Sequence, residues 1–482
     1  MSHKRNKPSQ PSTKEQRIGE LEEQLTRALA AIEKLKRQNE LLHAENEELK
    51  RAGKRQAAPF ARRKLVEHPK RPGRKAGQGK FSRREQPTHR QVDQTKKAKL
   101  HGCPDCGGRL KDIHKHEQYV TDIPETIRLV TTRYVTYSGY CVDCHKRVRS
   151  RHPEQTSQAT GAAGVLVGPR AKALAADLKH RLPAPVPQVQ VGGSYAKVSE
   201  TLNDAFGMQV SRSGWCQADQ RLAEKAQPVY EELIEAMQHS SVVHADETGW
   251  RIGTLSAWLW VFTNQEITVY AIRDNRSSDV VVEILGKQFQ GILASDCFLA
   301  YDDKRLKDWL KQKCLSHLLK DLKEMEESKT GRAVRFAQQL TAVLQEALKL
   351  KAEKLSLDPD IFVQRAQALE TQLDTLISRQ RNLKDRDNLR FARRLRKHRP
   401  HLLRFLYVDD LDATNNLAER QIRPSVIIRK TNGCNRSKGG AETHSVLTSV
   451  LVTCRQHNIP ILDYMVSLQQ FGETPPSLIG SP

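Results

Sequence analysis

The chain has 482 residues and a mass of 54.7 kDa, which exceeds a typical single domain, so several folded units are expected. Its formal net charge of +24 favours a polyanionic partner such as nucleic acid. The sequence contains no signal-peptide core and no apolar run near the roughly 18 residues of a membrane-spanning helix. Nine cysteines are too few for a disulfide scaffold at this length. We therefore expect a soluble, intracellular protein without a membrane partner.

Residues 1–15 are polar and are predicted to be disordered. Residues 16–50 are predicted to form a coiled-coil zipper, because apolar residues recur at alternating steps of three and four. Asn39 and Asn46 fall at a positions, where each can pair with its twin across a homodimer or higher oligomer. A single amphipathic helix packed on the body of the protein is the alternative. The apolar positions are Ile18, Leu21, Leu25, Ala28, Ile32, Leu35, Leu42 and Leu49.

Residues 51–98 form a predicted basic linker. The Lys70–Lys75 stretch carries Arg71, Arg74 and Lys75 around Pro72 and Gly73. It resembles the arginine-glycine-proline segments that lie along narrow A·T minor grooves, where Gly and Pro keep the backbone thin. The alternative is a solvated tether that attracts phosphates without sequence preference.

Residues 99–150 contain two Cys-x-x-Cys pairs, Cys103 with Cys106 and Cys141 with Cys144. Two thiolate pairs on tight turns can surround a tetrahedral Zn²⁺, which then stabilises a small β-rich unit in place of a core. A redox-active pair would normally be single and lie at a helix N-terminus. The spacing therefore predicts a structural zinc ribbon that binds DNA.

Residues 160–237 are predicted to be helical. Ser194–Phe206 has the pattern of one helix, Gly207 of a turn, and Ser211 of the cap of a second helix that runs through Trp215. This arrangement is typical of a helix-turn-helix, whose second helix enters a major groove. Arg212, directly after the cap, is the predicted DNA contact. Plain packing of a helical hairpin remains the alternative.

The segments 240–327 and 408–470 are predicted to form an α/β catalytic core. Strand patterns cover Ser241–Asp246, Ala257–Phe262, Ile267–Ile272 and Gly291–Asp296, a helix pattern covers Ser277–Leu285, and Lys313–His317 is predicted as a fifth strand. Three strands, a helix and a fourth strand follow one another in a ribonuclease-H-like fold. Because its first and fourth strands are neighbours, Asp246 and Asp296 are expected to meet.

A helical insertion is predicted over 328–407. After it, Asn415 can cap a helix that carries Glu419 one turn in. Together with Asp246 and Asp296, Glu419 would bind two Mg²⁺ or Mn²⁺ ions through hard oxygen ligands. Glu247, Asp302 and Asp303 are neighbouring carboxylates that could replace Asp246 or Asp296 in this assignment.

Basic residues on and after the predicted glutamate helix could clamp phosphates beside the metals. His317 has two interpretations: it helps to position scissile DNA, or it ends a strand. The candidate phosphate contacts are Arg420, Arg423, Arg429 and Lys430.

At these residues the chain resembles transposases of the bacterial insertion-sequence sixty-six family. The resemblance includes the zipper, the linker, the cysteine ribbon, Asp246-Glu247-Thr248, Cys314-x-x-His317 and the run Asn415-Asn416-x-Ala418-Glu419-Arg420-x-Ile422-Arg423-Pro424. Asp246, Asp296 and Glu419 match the family's acidic triad. The chain departs from the family at Cys297-Phe298, where Gly-Tyr is common, and at Cys314-Leu315-Ser316-His317, where Cys-Trp-Ala-His is common.

The resemblance implies a multidomain α+β protein with a coiled coil, a zinc ribbon, a helical helix-turn-helix region and a ribonuclease-H-like catalytic core with a helical insertion. It implies a DDE-type transposase that binds terminal inverted repeats of double-stranded DNA, cleaves the ends and joins the 3′-hydroxyls to target DNA. The expected location is the bacterial cytoplasm, in association with the nucleoid. Two alternatives are a non-catalytic DNA-binding regulator and a metal-dependent nuclease without strand transfer.

Overall fold

A computed structural model describes most of the chain from residue 129 onward and scattered residues before it. The described residues are 23, 25–33, 35, 37–40, 88, 90, 92, 95, 129–150, 152–157, 166–181, 184–186, 189–191, 193–378, 383–470 and 476–479. The chain divides into two units, Met1–Lys80 and Phe81–Pro482. Among the described residues, no helix is both long enough and apolar enough to cross a bilayer.

In the first unit, residues 25–33 are helical, which agrees with the heptad pattern over that segment. Leu25, Ile32 and Leu35, three of the apolar positions of the predicted zipper, are 60%, 49% and 62% exposed in the single chain. The predicted disordered segment, both ends of the predicted zipper and most of the predicted linker lie outside the described residues. The same holds for the predicted DNA contacts Arg71, Arg74 and Lys75.

The second unit contains an antiparallel hairpin of β1 (Ser138–Cys141) and β2 (Lys146–Arg149). Its turn carries Cys144, so the second predicted cysteine pair lies at one end of this hairpin. The first pair, Cys103 and Cys106, lies outside the described residues.

The predicted helical region consists of α1 (Pro169–His180), α2 (Tyr195–Phe206) and α3 (Arg212–Gln238). A short hairpin of β3 (Ala184–Val186) and β4 (Val189–Val191) interrupts it. The purely helical prediction was therefore wrong there, because prolines and valines favour extended backbone.

The cap predicted at Ser211 is confirmed, and Ser194, which was predicted as the first residue of a helix, is the cap of α2. The Ser194 hydroxyl accepts from the Lys197 amide, and the Ser211 hydroxyl accepts from the Gly214 amide. Gly207 ends α2 with a left-handed φ of 66°, which glycine adopts without steric cost. The second helix does not stop near Trp215 but continues to Gln238, and the Trp215 side chain is fully buried.

A five-stranded sheet forms the centre of the second unit. Its strands are β5 (Val242–Ile252), β6 (Leu255–Thr263), β7 (Thr268–Arg273), β8 (Ile292–Ser295) and β9 (Leu310–Lys313), in the spatial order β7-β6-β5-β8-β9. The pairs β5–β6 and β6–β7 are antiparallel, whereas β5–β8 and β8–β9 are parallel. The first and fourth strands of this core are therefore neighbours, as expected. Helix α4 (Ser278–Leu285) connects β7 to β8.

The predicted fifth strand, Lys313–His317, is wrong in its position. Strand β9 covers Leu310–Lys313, and helix α5 (Leu315–Ser328) begins two residues later. Three consecutive polar residues of β9, Lys311, Gln312 and Lys313, are 3%, 1% and 0% exposed. Gln312 and Lys313 are buried with polar partners, and the strand has no apolar pattern that sequence could detect.

Helices cover both faces of the sheet. On one face, Val243 and Ala245 of β5 pack in a core with Leu233 of α3 and Val450 of α10 (Lys438–Gln456). On the other face, residues of β5 and β6 pack against α9 (Asn416–Asn432). The apolar residues of this second core include Trp250, Leu259, Val261, Ala418, Ile422 and Ile428. Helix α11 (Ile461–Ser467) follows α10.

Between α5 and α9 lie the helices α6 (Arg332–Glu353), α7 (Pro359–Ser378) and α8 (Arg386–His398). Their apolar residues form one core that includes Val242, Ile292 and Ala294 of the sheet. The predicted insertion therefore shares its core with the sheet.

Candidate active site

Asp246, within β5, and Asp296, directly after β8, lie where the parallel pairing of these two adjacent strands ends. In the β5–β8 register His244 pairs with Ala294, so each aspartate lies two residues beyond that pair. One Asp246 carboxylate oxygen accepts from the Glu247 amide at 2.9 Å. One Asp296 carboxylate oxygen accepts from the Phe298 amide at 2.8 Å. The strand pairing thus brings the two predicted acids to one edge of the sheet.

Glu419 lies in the first turn of α9, and its position depends on Asn415. The Asn415 side-chain amide donates to the Ala245 carbonyl at 2.7 Å, and its side-chain oxygen lies 3.2 Å from His244 Nδ1. Asn415 is 1% exposed. The predicted side-chain cap of α9 is therefore not made, because the same side chain joins the start of α9 to β5.

The carboxylates influence one another electrostatically. Burial raises the pKa of Asp246 to about 7, and the negative charges of Glu247, Asp296 and Glu419 contribute to that shift. A group that loses hydration beside like charges resists ionisation. A divalent cation at this edge would relieve that repulsion.

The three carboxylates considered as alternatives have other partners. Glu247 follows Asp246 on β5, so strand alternation places it on the opposite face; it pairs with Arg276 at 2.6 Å and accepts from the Tyr301 hydroxyl at 2.5 Å. Asp302 pairs with Lys313 at 3.0 Å and with Lys397 at 2.9 Å. Asp303 accepts from the Arg305 amide at 2.9 Å, and its carboxylate pairs with the Arg305 guanidinium at 3.1 Å. These contacts favour Asp246 and Asp296 as the acids free to bind a ligand.

Lys313 is a residue of the site that the sequence patterns did not indicate. Its side chain is fully buried, and Nζ donates to the Asp296 carbonyl at 2.9 Å while it pairs with Asp302. It therefore fixes the backbone that carries the Asp296 carboxylate. A lysine in a short polar segment gave no sign of this role.

Cys314 and His317 lie beside Glu419. One ligand atom from each of the three residues falls within 4.8 Å of the others, and His317 Nδ1 is 3.7 Å from Glu419 Oε1. In the part of the chain that the structure describes, Asp246, Asp296 and Glu419 do not come that close as a trio.

Cys314 and His317 shift each other's pKa in opposite directions. Burial opposes ionisation of Cys314, but hydrogen bonds from His317, Ser316 and the Asn415 amide lower the pKa of its thiol. The hydrogen bond with Cys314, together with the charges of Cys314, Glu419 and Asp296, outweighs burial and raises the pKa of His317 to about 9. His317 lies in the first turn of α5, so the interpretation that it ends a strand is wrong.

The predicted phosphate contacts differ in their surroundings. Arg420 and Arg423 are exposed on α9, and Lys430 is half-buried. Arg429 donates to the Thr248 hydroxyl at 2.8 Å and to the Gly249 carbonyl, so it also holds α9 against β5. Arg212 is exposed at the start of α3.

At the β1–β2 hairpin, Cys141 is half-buried and Cys144 is exposed, and neither forms a disulfide. Hydrogen bonds from Cys144 lower the pKa of the Cys141 thiol. Two thiols on one tight turn suit half of a tetrahedral zinc site.

Residues 188–443 match the model of a family described as Transposase IS66 family. The matched range contains Asp246, Asp296, Cys314, His317 and Glu419. A protein of Sinorhizobium fredii named uncharacterized protein y4qI is 26% identical over 293 residues, which cover 54% of this chain and 53% of that protein. The matching region thus spans about half the length of this curated relative.

Proposed function

The chain belongs to the IS66 transposase family, and from that premise we propose that it is a DDE-type enzyme that cleaves element ends and joins them to target DNA. The observation that carries the proposal is the parallel pairing of β5 with β8, which places Asp246 and Asp296 at one sheet edge. The first turn of α9 presents Glu419 close enough for its charge to raise the pKa of Asp246. The strand order of the sheet supports a ribonuclease-H-like assignment.

The donor set fits magnesium or manganese. Asp246, Asp296 and Glu419 offer the hard carboxylate oxygens that these ions prefer, and a cation beside Asp246 would offset the charges of Asp296 and Glu419 that, after burial, contribute to its raised pKa. These three residues would hold two ions. When bound, such ions activate water or a 3′-hydroxyl and stabilise the leaving oxygen.

The reaction consists of two displacements at phosphorus. In the first, a water oxygen bonds to the phosphorus at the element end, the bond to the 3′-oxygen breaks, and the 3′-oxygen takes up a proton. In the second, that 3′-hydroxyl loses its proton and attacks a phosphodiester of the target, which releases a new 3′-hydroxyl. The number of phosphodiester bonds is conserved in the second step, so joining needs no external energy source.

Residues around the carboxylates position the acids and the DNA. Asn415 and Lys313 hold the backbone of α9 and of Asp296. Arg420 and Arg423 extend from the α9 surface, where their guanidinium groups can bind phosphate oxygens. His317, half-exposed beside Glu419, can donate to a phosphate at the same place.

Other parts of the chain would hold DNA and join protomers. Cys103, Cys106, Cys141 and Cys144 would hold a structural Zn²⁺, and the hairpin that carries Cys141 and Cys144 suits that role. The helices α2 and α3 would bind the terminal repeats, with Arg212 exposed for contact. The apolar positions of the predicted zipper, of which Leu25, Ile32 and Leu35 are exposed in the single chain, would pair two protomers so that two DNA ends are held together.

A nicking and joining experiment tests this function. The full chain is incubated in Mg²⁺ with duplex DNA carrying the sequences that flank its gene, and with the same duplex pre-cut to expose the 3′-hydroxyl. We expect new 3′-hydroxyl ends from the first substrate and covalent joining to a target plasmid from the second. DNA that is shifted in a gel but never cut, even in Mn²⁺, would support a non-catalytic regulator. Cutting without joining would support a nuclease.

A further inference from the structure

We propose that Cys314, His317 and Glu419 form a second metal site, which takes a single transition-metal ion of the zinc class. The proposal rests on the proposed function only in that Glu419 is shared with the acidic site. Its ligands are a thiolate, an imidazole and a carboxylate, whereas the acidic site offers carboxylates alone.

Cys314, His317 and Glu419 lie close enough together to share one ion. One donor atom from each of the three side chains lies within 4.8 Å of the other two, so one ion with bonds of about 2.0–2.3 Å can reach all three after small rotamer adjustments. The side chains come from the starts of two helices that are distant in sequence. Cys314 directly precedes α5, His317 lies in its first turn, and Glu419 lies in the first turn of α9.

Backbone hydrogen bonds preorganise part of this group. The Leu315 amide donates to the Ala413 carbonyl at 2.9 Å, and the Asn415 amide donates to the Cys314 sulfur at 3.1 Å. These bonds fix the starts of α5 and α9 relative to each other. Because Cys314 is 1% exposed, its sulfur has little freedom to turn away. Backbone contacts therefore hold Cys314 and the starts of the two helices that carry His317 and Glu419.

The three ligand types favour an ion of the zinc class. Thiolate and imidazole are preferred by zinc and by other late transition metals, whereas magnesium prefers oxygen ligands and water. Accessible zinc sites commonly use three protein ligands and leave the fourth position open. Here the His317 and Glu419 side chains are 47% and 41% exposed, so an ion can enter and keep one exchangeable ligand.

The shared carboxylate links the two sites. If Glu419 binds a zinc-class ion beside Cys314, its oxygens are less available to the magnesium ions that Asp246 and Asp296 would hold. Occupancy of the second site is therefore expected to inhibit DNA cleavage in Mg²⁺.

Metal counting on the full chain tests this inference. Wild-type protein and variants are equilibrated with Zn²⁺ alone, freed of unbound ion, and analysed for zinc per chain, with circular dichroism as a check of folding. Cys314→Ala and His317→Ala are each expected to lose one equivalent. Cys297→Ala is the matched control, because this cysteine directly follows Asp296 but does not belong to the three-residue group. It is expected to keep the wild-type count.

An unchanged zinc count in both Cys314→Ala and His317→Ala would overturn the second site and leave the three side chains as a self-contained hydrogen-bonded group. If Cys314→Ala fails to fold, His317→Ala decides, since His317 is half-exposed. Asp246→Asn should keep the count, because Asp246 is not a ligand here. The count does not depend on DNA cleavage. If wild type cuts no DNA but Cys314→Ala and His317→Ala each lose one zinc equivalent, the result contradicts the proposed function and upholds this site.

Discussion

At the residue scale, Asp246 gives the site a defined pH response. Its pKa in the folded chain is about 7, against an ordinary value of 3.8, through burial and neighbouring carboxylates. The folded state therefore binds this proton more tightly than the unfolded state. The contribution of this proton to the free energy of unfolding is fully present below pH about 4 and is lost as the pH rises through about 7.

Asp246→Asn removes this titration, since its amide stays neutral and its oxygen can still accept from the Glu247 amide. In metal-free buffer the variant should be more stable than wild type at pH 8 by about 1–3 kcal/mol, a range that allows for partial solvent access. The gap should close towards pH 4. Urea unfolding across this pH range measures it, and added Mg²⁺ should stabilise wild type more than the variant. A gap that is constant with pH would contradict the raised pKa.

Asn415 is expected to be essential for placing Glu419, since its buried side chain joins α9 to β5. Asn415→Ala leaves the Ala245 carbonyl without its side-chain donor, a loss of about 1–3 kcal/mol in the free energy of unfolding. Asn416→Ala is the control, because Asn416 is an exposed neighbour on the same helix. Chemical denaturation of the two variants measures the difference. Equal stabilities would show that the Asn415 contacts do not hold the helix.

The sequence predicted three acids for the candidate site, because each lies at a recognisable strand or helix pattern, and their catalytic role stays a prediction. It did not predict the role of Lys313 or the contact of the Asn415 side chain with β5. Both are polar side chains buried by partners far away in sequence. Such roles depend on the packed fold, whereas residue type and spacing report only local preference.

At the element scale, side-chain hydroxyls of α10 accept hydrogen bonds from the backbone of the edge strand β7. The edge strand β7 donates three backbone amides to hydroxyls spaced one helical turn apart: Ile272 to Ser445, Tyr270 to Ser449 and Thr268 to Thr453, at 3.1, 2.8 and 3.2 Å. An uncovered strand edge invites pairing with another chain. This hydroxyl row therefore closes one side of the sheet without another strand.

Two identical substitutions on α10 test this contact. Thr453→Val leaves the Thr268 amide unpaired and should destabilise the fold by about 1–3 kcal/mol. Thr448→Val should not destabilise it, because the buried Thr448 hydroxyl has no hydrogen-bond partner among the described residues. Thermal unfolding of both variants, with hydrogen exchange of the Thr268 amide, distinguishes them. Equal melting temperatures would contradict the edge contact.

The helical insertion also behaves as part of the core, because its apolar residues pack with those of β5 and β8. Leu344→Ala, at a fully buried position of α6, should cost about 2–5 kcal/mol. Leu355→Ala is the matched control at a fully exposed position and should change stability by less than about 0.5 kcal/mol. Unfolding followed by tryptophan fluorescence measures the effect, because Trp250, Trp258 and Trp260 lie on β5 and β6 and the insertion contains no tryptophan. A Leu344→Ala variant whose sheet unfolds as in wild type would make the insertion a separate module.

Element prediction succeeded where apolar periodicity was strong, as for β6, β7 and α4. It failed at β9, whose buried residues are polar, and at the β3–β4 hairpin within a predicted helical region. The helix cap was predicted correctly at Ser211, because a short polar residue before a helix makes a local contact. At Asn415 a tertiary contact replaced the expected local one.

At the scale of the whole molecule, strand order brings the dispersed acids of the candidate site near one another. Asp246 and Asp296 are separated by two strands and a helix in sequence, and Glu419 follows a further helical insertion. The parallel pairing of β5 with β8 and the anchoring of α9 on β5 bring them to one edge. Sequence could order these elements, but the closeness of Cys314 and His317 to Glu419 required the structure.

The central claim is that Asp246, Asp296 and Glu419 carry metal-dependent cleavage. The most direct measurement compares the nicking rate of duplex DNA from the element ends, in Mg²⁺, for wild type, Asp246→Asn, Asp296→Asn and Glu419→Gln. The control is Asp303→Asn, a nearby acid paired with Arg305. Since loss of a supporting contact alone typically costs 10–100-fold, loss of a ligand should cost more than about 100-fold.

The three variants should therefore lose cleavage while still binding the same DNA, and Asp303→Asn should cleave at a rate close to wild type. Cleavage in Mg²⁺ that persists in any of the three folded variants would contradict the assignment of that acid.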